Sequence, residues 1–108
     1  MSTAPKELLT PQEYLARERL AEYRSEFFRG EMFAMSGASL GHNRISANLL
    51  IEIGAQLRGG PCEVFGSDMR VRVTATGLYT YPDLVVISGD AKFEDEHVDT
   101  LLTPIVLF

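Results

Sequence analysis

Tryptophan is absent from this sequence, cysteine occurs once and histidine twice. A single thiol, Cys62, cannot close an internal disulfide, so nothing in the composition calls for an oxidising compartment. With no second histidine or cysteine at ligand spacing, a zinc centre is not supported. Long apolar runs are also missing. Leu84-Val85-Val86-Ile87 is typical of the longest and falls far short of a membrane span. No basic, apolar segment with a small-residue cleavage pattern opens the chain, so the expected location is the cytoplasm. Gly37, Gly41 and Gly59-Gly60 lack the spacing of a phosphate-cradling loop.

Positive charge is scarce as well: ten Lys and Arg stand against fifteen Asp and Glu, a net charge of −5. Such a balance argues against nucleic acid as a partner until the acidity is located. Residues 89–100 hold Asp90, Glu94, Asp95, Glu96 and Asp99 against Lys92, and so carry four of the five net charges. Screening acts over about 8 Å at cellular ionic strength, so one acidic patch need not repel a ligand bound elsewhere. A mobile, solvated loop is expected there.

What is present is ordinary for a globular chain: 108 residues, 45% hydrophobic and 23% charged, enough for one domain with one modest core. Residues 1–9 show no sustained period and are expected to be a flexible terminus, with a single domain over 10–108. Thr10-Pro11-Gln12-Glu13 is a helix start: a capping threonine, proline at the first helical position and a glutamate able to return to the cap. This helix is expected to reach about Glu22, with Tyr14, Leu15 and Leu20 inward and Arg17, Glu18, Arg19 and Glu22 solvated. Residues 26–35 read as an aromatic-rich hairpin around Arg29-Gly30. From Leu40, the i+4 series Ile45, Leu49, Ile53 and Leu57 predicts a core-facing helix that Gly59-Gly60-Pro61 ends.

Extended segments follow. Cys62–Phe65 and Asp68–Val73 are expected to form one strand region bent at Gly66, with Met69, Val71 and Val73 buried and Asp68, Arg70 and Arg72 wet. Tyr79 to Ile87 reads as a further strand whose second half is apolar on both faces, as in the middle of a covered sheet. Residues 103–108 begin another apolar strand, and the expectation is that the chain is a longer protein cut within it.

The leading chemical candidate is Asp83, in Tyr81-Pro82-Asp83 just before that apolar strand. Proline cannot donate to a ladder and marks a strand start or edge, which fixes Asp83 where the sheet opens. A carboxylate so held suits a hard divalent cation, although Pro-Asp is also common turn chemistry. Tyr23-Arg24-Ser25-Glu26-Phe27-Phe28-Arg29-Gly30-Glu31, then His42-Asn43-Arg44-Ile45, Ser67-Asp68-Met69-Arg70-Val71, Tyr81 to Val86 and Thr103 to Leu107 come in an order that resembles the Uma-two family. That family is a branch of the PD-(D/E)XK restriction-endonuclease-like superfamily, and the likeness runs from about Thr10 to Phe108.

The resemblance implies an α/β fold of the α+β type, a mixed sheet with flanking helices, and a nuclease that hydrolyses phosphodiesters of nucleic acid, with DNA the expected substrate. It implies Mg²⁺ or Mn²⁺ as cofactor, with Asp83 as first metal ligand and Glu26 as a supporting carboxylate. His42 and Glu52 are further candidates, His42 near the site and Glu52 approaching from the helix. The family's second acidic ligand, in a Glu-x-Leu-Ser segment, and its lysine would lie beyond Phe108, which leaves this chain with an incomplete site. Glu31 is expected to face solvent or pair with Arg29. Arg44, Arg58, Arg70 and Arg72 are the candidate phosphate contacts. The rival expectation is a non-catalytic module that keeps the fold for binding or homodimerisation, for instance through its final strand. No membrane partner is expected.

Overall fold

The structure, a computed structural model, describes residues 7–102 and 106–107. Helix α1 covers Pro11–Glu18 and opens as the sequence predicts: the Thr10 hydroxyl accepts from Glu13 N–H and the Glu13 carboxylate accepts from Thr10 N–H. It stops earlier than expected, with Arg19 as its C-cap. Leu20 is therefore not inward but 89% exposed, and Glu18, expected in water, is buried. Both corrections have one cause, since one turn less of helix leaves Glu18 as the last residue able to face the sheet. Part of the terminus expected to be flexible is held: Leu9 N–H donates to Gly30 O at 2.9 Å, and Leu9 packs beside Tyr14 and Phe27. The rest of that expectation, residues 1–6, lies outside the described residues.

Strands β1 (Ser25–Phe28) and β2 (Glu31–Ala34) form the expected hairpin. Its two turn residues, Arg29 and Gly30, have φ of 49° and 85°, the geometry of a type I′ turn that suits the strand twist. Helix α2 spans Leu40–Leu57, with Ser39 as N-cap. It is followed by β3 (Cys62–Phe65), β4 (Arg70–Val73), β5 (Leu78–Thr80), β6 (Val85–Ser88), β7 (Lys92–Phe93), β8 (Thr100–Leu102) and β9 (Val106–Leu107).

The strands build two sheets, one ordered β2-β1-β5-β4-β8-β7 and one ordered β3-β6-β9. The fold is thus mixed α+β, with β4 and β8 running parallel and every other pair antiparallel. Two expected strands prove to be sheet changes. The region bent at Gly66 is β3 in the small sheet and β4 in the large one. The stretch from Tyr79 to Ile87 is β5 and β6 in different sheets, broken where Pro82 cannot donate. β6 is central in its sheet, as its apolar run predicts, and β9 lies beside it; residues 103–105 and 108 of the last expected strand lie outside the described residues.

Four layers follow from the alternation of side chains. Tyr14 and Leu15 of α1 cover Phe27 and Tyr79 on one face of the large sheet. Val71 and Leu101, on its other face, meet Val85 and Ile87 of the small sheet. Val64 on the far side of the small sheet approaches Gly54 of α2. Helix α2 is the outermost layer, and none of its residues is buried. The stripe expected to face the core does so at Ile53 and Leu57, which are half-buried, while Ile45 and Leu49 are exposed. The reason is that α2 packs mainly on β3, a strand of four residues. Cys62 is half-buried at the start of that strand. Among the described residues no helix is long and apolar enough to cross a membrane.

Candidate functional site

Pro82 ends the donation of β5 to its sheet, and Asp83 falls at the crossing into β6. Across from it stands the first turn of α2. There the Ser39 hydroxyl accepts from His42 N–H at 3.1 Å, and the Asn43 amide donates to Ser39 O at 3.0 Å. This capped turn aims His42 at Asp83: Nε2 lies 2.9 Å from Oδ1, with both side chains about half exposed. An ionised carboxylate only accepts, so with Asp83 ionised the donor in this contact is Nε2.

The pair lines an open cavity of about 420 Å³ together with Arg24, Ser39, Ser46 and Ser67. Arg24 is held over the Tyr81 ring, 5.4 Å from its centroid, and donates to the Ser67 carbonyl. Its Nη1 also lies 3.5 Å from Asp68, an exposed residue as the sequence predicts. The cavity therefore combines a guanidinium, which favours anions, with an imidazole, the polar first turn of a helix and one carboxylate.

The remaining candidates sit elsewhere. The Glu26 carboxylate accepts from the Thr80 hydroxyl on β5, three residues before Asp83, and does not line the cavity. Glu52 is exposed on α2, ten residues past His42 and so about 15 Å further along the axis. Glu31 is half-buried in β2. Among the described residues, no three of His, Cys, Asp and Glu come together as a metal would require. Of the candidate phosphate contacts, Arg44 and Arg58 are exposed, whereas Arg70 is buried and Arg72, partly exposed, is paired with Glu94.

That interior commitment is what the sequence hides. Arg70, expected in water, is 5% exposed. Its Nε donates to Thr100 Oγ1 at 2.8 Å, its Nη1 to Tyr81 OH at 2.9 Å, and its Nη2 lies 2.9 Å from Asp99. Tyr81 OH donates in turn to Glu18 Oε2 at 2.6 Å, which also accepts from Ser25 N–H. Burial and the neighbouring Glu18 push the Tyr81 hydroxyl up to about 12. Arg19 grips Asp99 at 2.8 Å and Asp95 at 3.1 Å, and its hydrogen bond holds the Asp99 carboxyl well below the usual range. Glu94 accepts from Tyr79 OH and Arg72. The acidic run is thus not a free loop: β7 pairs with β8, and three of its carboxylates are bound to arginine. A proline after Tyr81 was the one local sign that this tyrosine sits at a junction.

Known proteins place this architecture in context. The chain is 38% identical over 104 residues to the uncharacterized protein sll1609 of Synechocystis sp., covering 96% of the chain and 59% of that protein. It is also 38% identical over 84 residues to the uncharacterized protein slr1290 of the same organism, covering 78% of the chain and 44% of the relative. The chain therefore spans between about two fifths and three fifths of the length of these relatives. No solved structure matches it. Residues 11–107 match the family model described as "Uma2: Putative restriction endonuclease", and the chain belongs to that family.

Proposed function

We propose that this chain carries the phosphodiester-binding part of a divalent-metal-dependent nuclease acting on DNA, centred on Asp83. The observation that supports this most is the Asp83–His42 contact of 2.9 Å inside a cavity that also presents Arg24 and the first turn of α2. Family membership points to nuclease-like chemistry, and Arg24 gives the cavity a cation able to meet a phosphate. In this reading Arg24 donates to a phosphate oxygen. His42, oriented by Asp83, holds or gives a proton at Nδ1.

A Mg²⁺ ion asks for about six oxygen ligands in near-octahedral geometry, and Mn²⁺ accepts oxygen and nitrogen. One carboxylate beside one imidazole does not complete such a shell, and Glu26 is occupied by Thr80. Asp83 is the oxygen donor this chain can offer to either cation, and the other ligands would come from outside the described residues. The second reading, a non-catalytic module that binds nucleic acid, is favoured by the same separation of Glu26 from the cavity.

Incubation of a form of the protein long enough to carry those other ligands, with supercoiled plasmid DNA and Mg²⁺ or Mn²⁺, tests both. Under the nuclease reading, Asp83→Ala lowers nicking about 100-fold or more while DNA binding persists, and Arg24→Ala weakens binding. Nicking that survives Asp83→Ala overturns the assignment of Asp83. Binding that depends on Arg24 with no nicking by any form selects the non-catalytic module.

A further inference from the structure

The outward face of α2 is built to pair with itself. The half-buried residues Ser46, Leu50, Ile53, Gly54 and Leu57 mark the side on β3. At about 100° per residue, the opposite side is the line Gly41, Arg44, Asn48, Glu52 and Ala55. Read in either direction about Asn48, this line runs small, charged, amide, charged, small, and the two charges are opposite in sign. An antiparallel second α2, related by a two-fold axis at Asn48, puts each Arg44 opposite the partner's Glu52. It also puts Gly41 opposite Ala55, two residues that permit close approach.

Apolar side chains flank the line on both sides: Ile45, 63% exposed, with Leu49, and Ile51, 67% exposed, with Leu40. A two-fold axis keeps each flank against the same flank of the other copy, as an isologous interface requires. Within one helix Arg44 and Glu52 are about 12 Å apart along the axis, too far to meet, and among the described residues neither has an ion-pair partner.

We infer that a second copy of this chain covers the exposed face of α2, antiparallel and centred on Asn48. Charge complementarity selects this occupant, because the face supplies both members of each ion pair. Sedimentation equilibrium of the 108-residue chain over a range of concentrations is expected to show a monomer–dimer equilibrium. Arg44→Glu sets like charges opposite each other twice and is expected to weaken the dimer about tenfold or more. The double variant Arg44→Glu with Glu52→Arg restores the pairing with its sense reversed, and recovers the dimer. Asn48→Cys in a Cys62→Ser background, checked by circular dichroism for native folding, is expected to cross-link to itself under mild oxidation. A chain monomeric at every concentration, a dimer indifferent to Arg44→Glu, or a folded Asn48→Cys chain that does not cross-link overturns the inference. A face covered instead by another segment or protein would give the first of these results.

Discussion

Tyr81 serves two polar centres at once. Its ring supports Arg24 at the cavity, and its hydroxyl joins Arg70 and Glu18 in the interior. Asp99, two bonds further into that network, is the residue whose protonation matters most. Its folded-state carboxyl lies below its ordinary value of 3.8, mainly through the hydrogen bond from Arg19 and with help from Arg70. The stabilisation is therefore complete above about pH 4 and is lost as the pH falls below that value. Asp99→Asn is expected to cost about 1–2 kcal/mol at neutral pH, a figure reduced for the partial exposure of Asp99. Thermal unfolding measured from neutral pH down to pH 2 should show the wild-type midpoint falling in acid and the variant's curve flatter. None of this was legible locally. Arg70 and Arg72 alternate with valines as a wet face would, and their partners lie 29 and 22 residues away, so only the fold reveals that Arg70 is buried and Arg72 paired.

Among the elements, those specified by neighbouring residues are legible in the sequence. The Thr10–Glu13 cap needs four consecutive residues, and all four are in the sequence. Thr10→Ala is expected to lower stability by about 1 kcal/mol, measured by urea denaturation. The hairpin turn was equally plain, because Arg29-Gly30 separates two apolar arms. At Gly30 the backbone disfavours a side chain, with φ at +85°, and an added Cβ would press on the Leu8 side chain at 3.1 Å. Gly30→Ala should therefore cost about 1–2 kcal/mol, while Arg29→Gly, at φ 49°, should be neutral or slightly stabilising in the same denaturation experiment. Boundaries set by tertiary contact were not legible. The helical period continues past Glu18 to Leu20, yet α1 ends where its sheet partners end. Alternation cannot show that Gly66 and Pro82 are crossings between sheets, because the pattern is the same on both sides of each crossing.

For the molecule as a whole, the pairing of Asp83 with His42 joins residues 41 apart, and the sequence supplied both names but not their contact. The layering leaves the chain drawn out: its Cα radius of gyration is 15.6 Å, against about 13 Å for a compact domain of this length. The large sheet is covered by α1 on one face and the small sheet on the other, while α2 has no buried residue. Hydrogen exchange in dilute solution should accordingly protect amides of β4, β5 and β8 far longer than those of α2. Comparable protection of α2 at the same dilution would contradict this layering.

The Arg19 clamp has a consequence in time. It joins the end of α1 to Asp95 and Asp99, 76 and 80 residues further along. Closing so long a loop costs chain entropy before any ion pair forms to offset it. During synthesis α1 is made before every other described element, yet its anchors follow 76 and 80 residues later. Helix α1 can pack on Phe27 and Tyr79 as soon as those strands are made, but its end is clamped only after Asp95 and Asp99 follow.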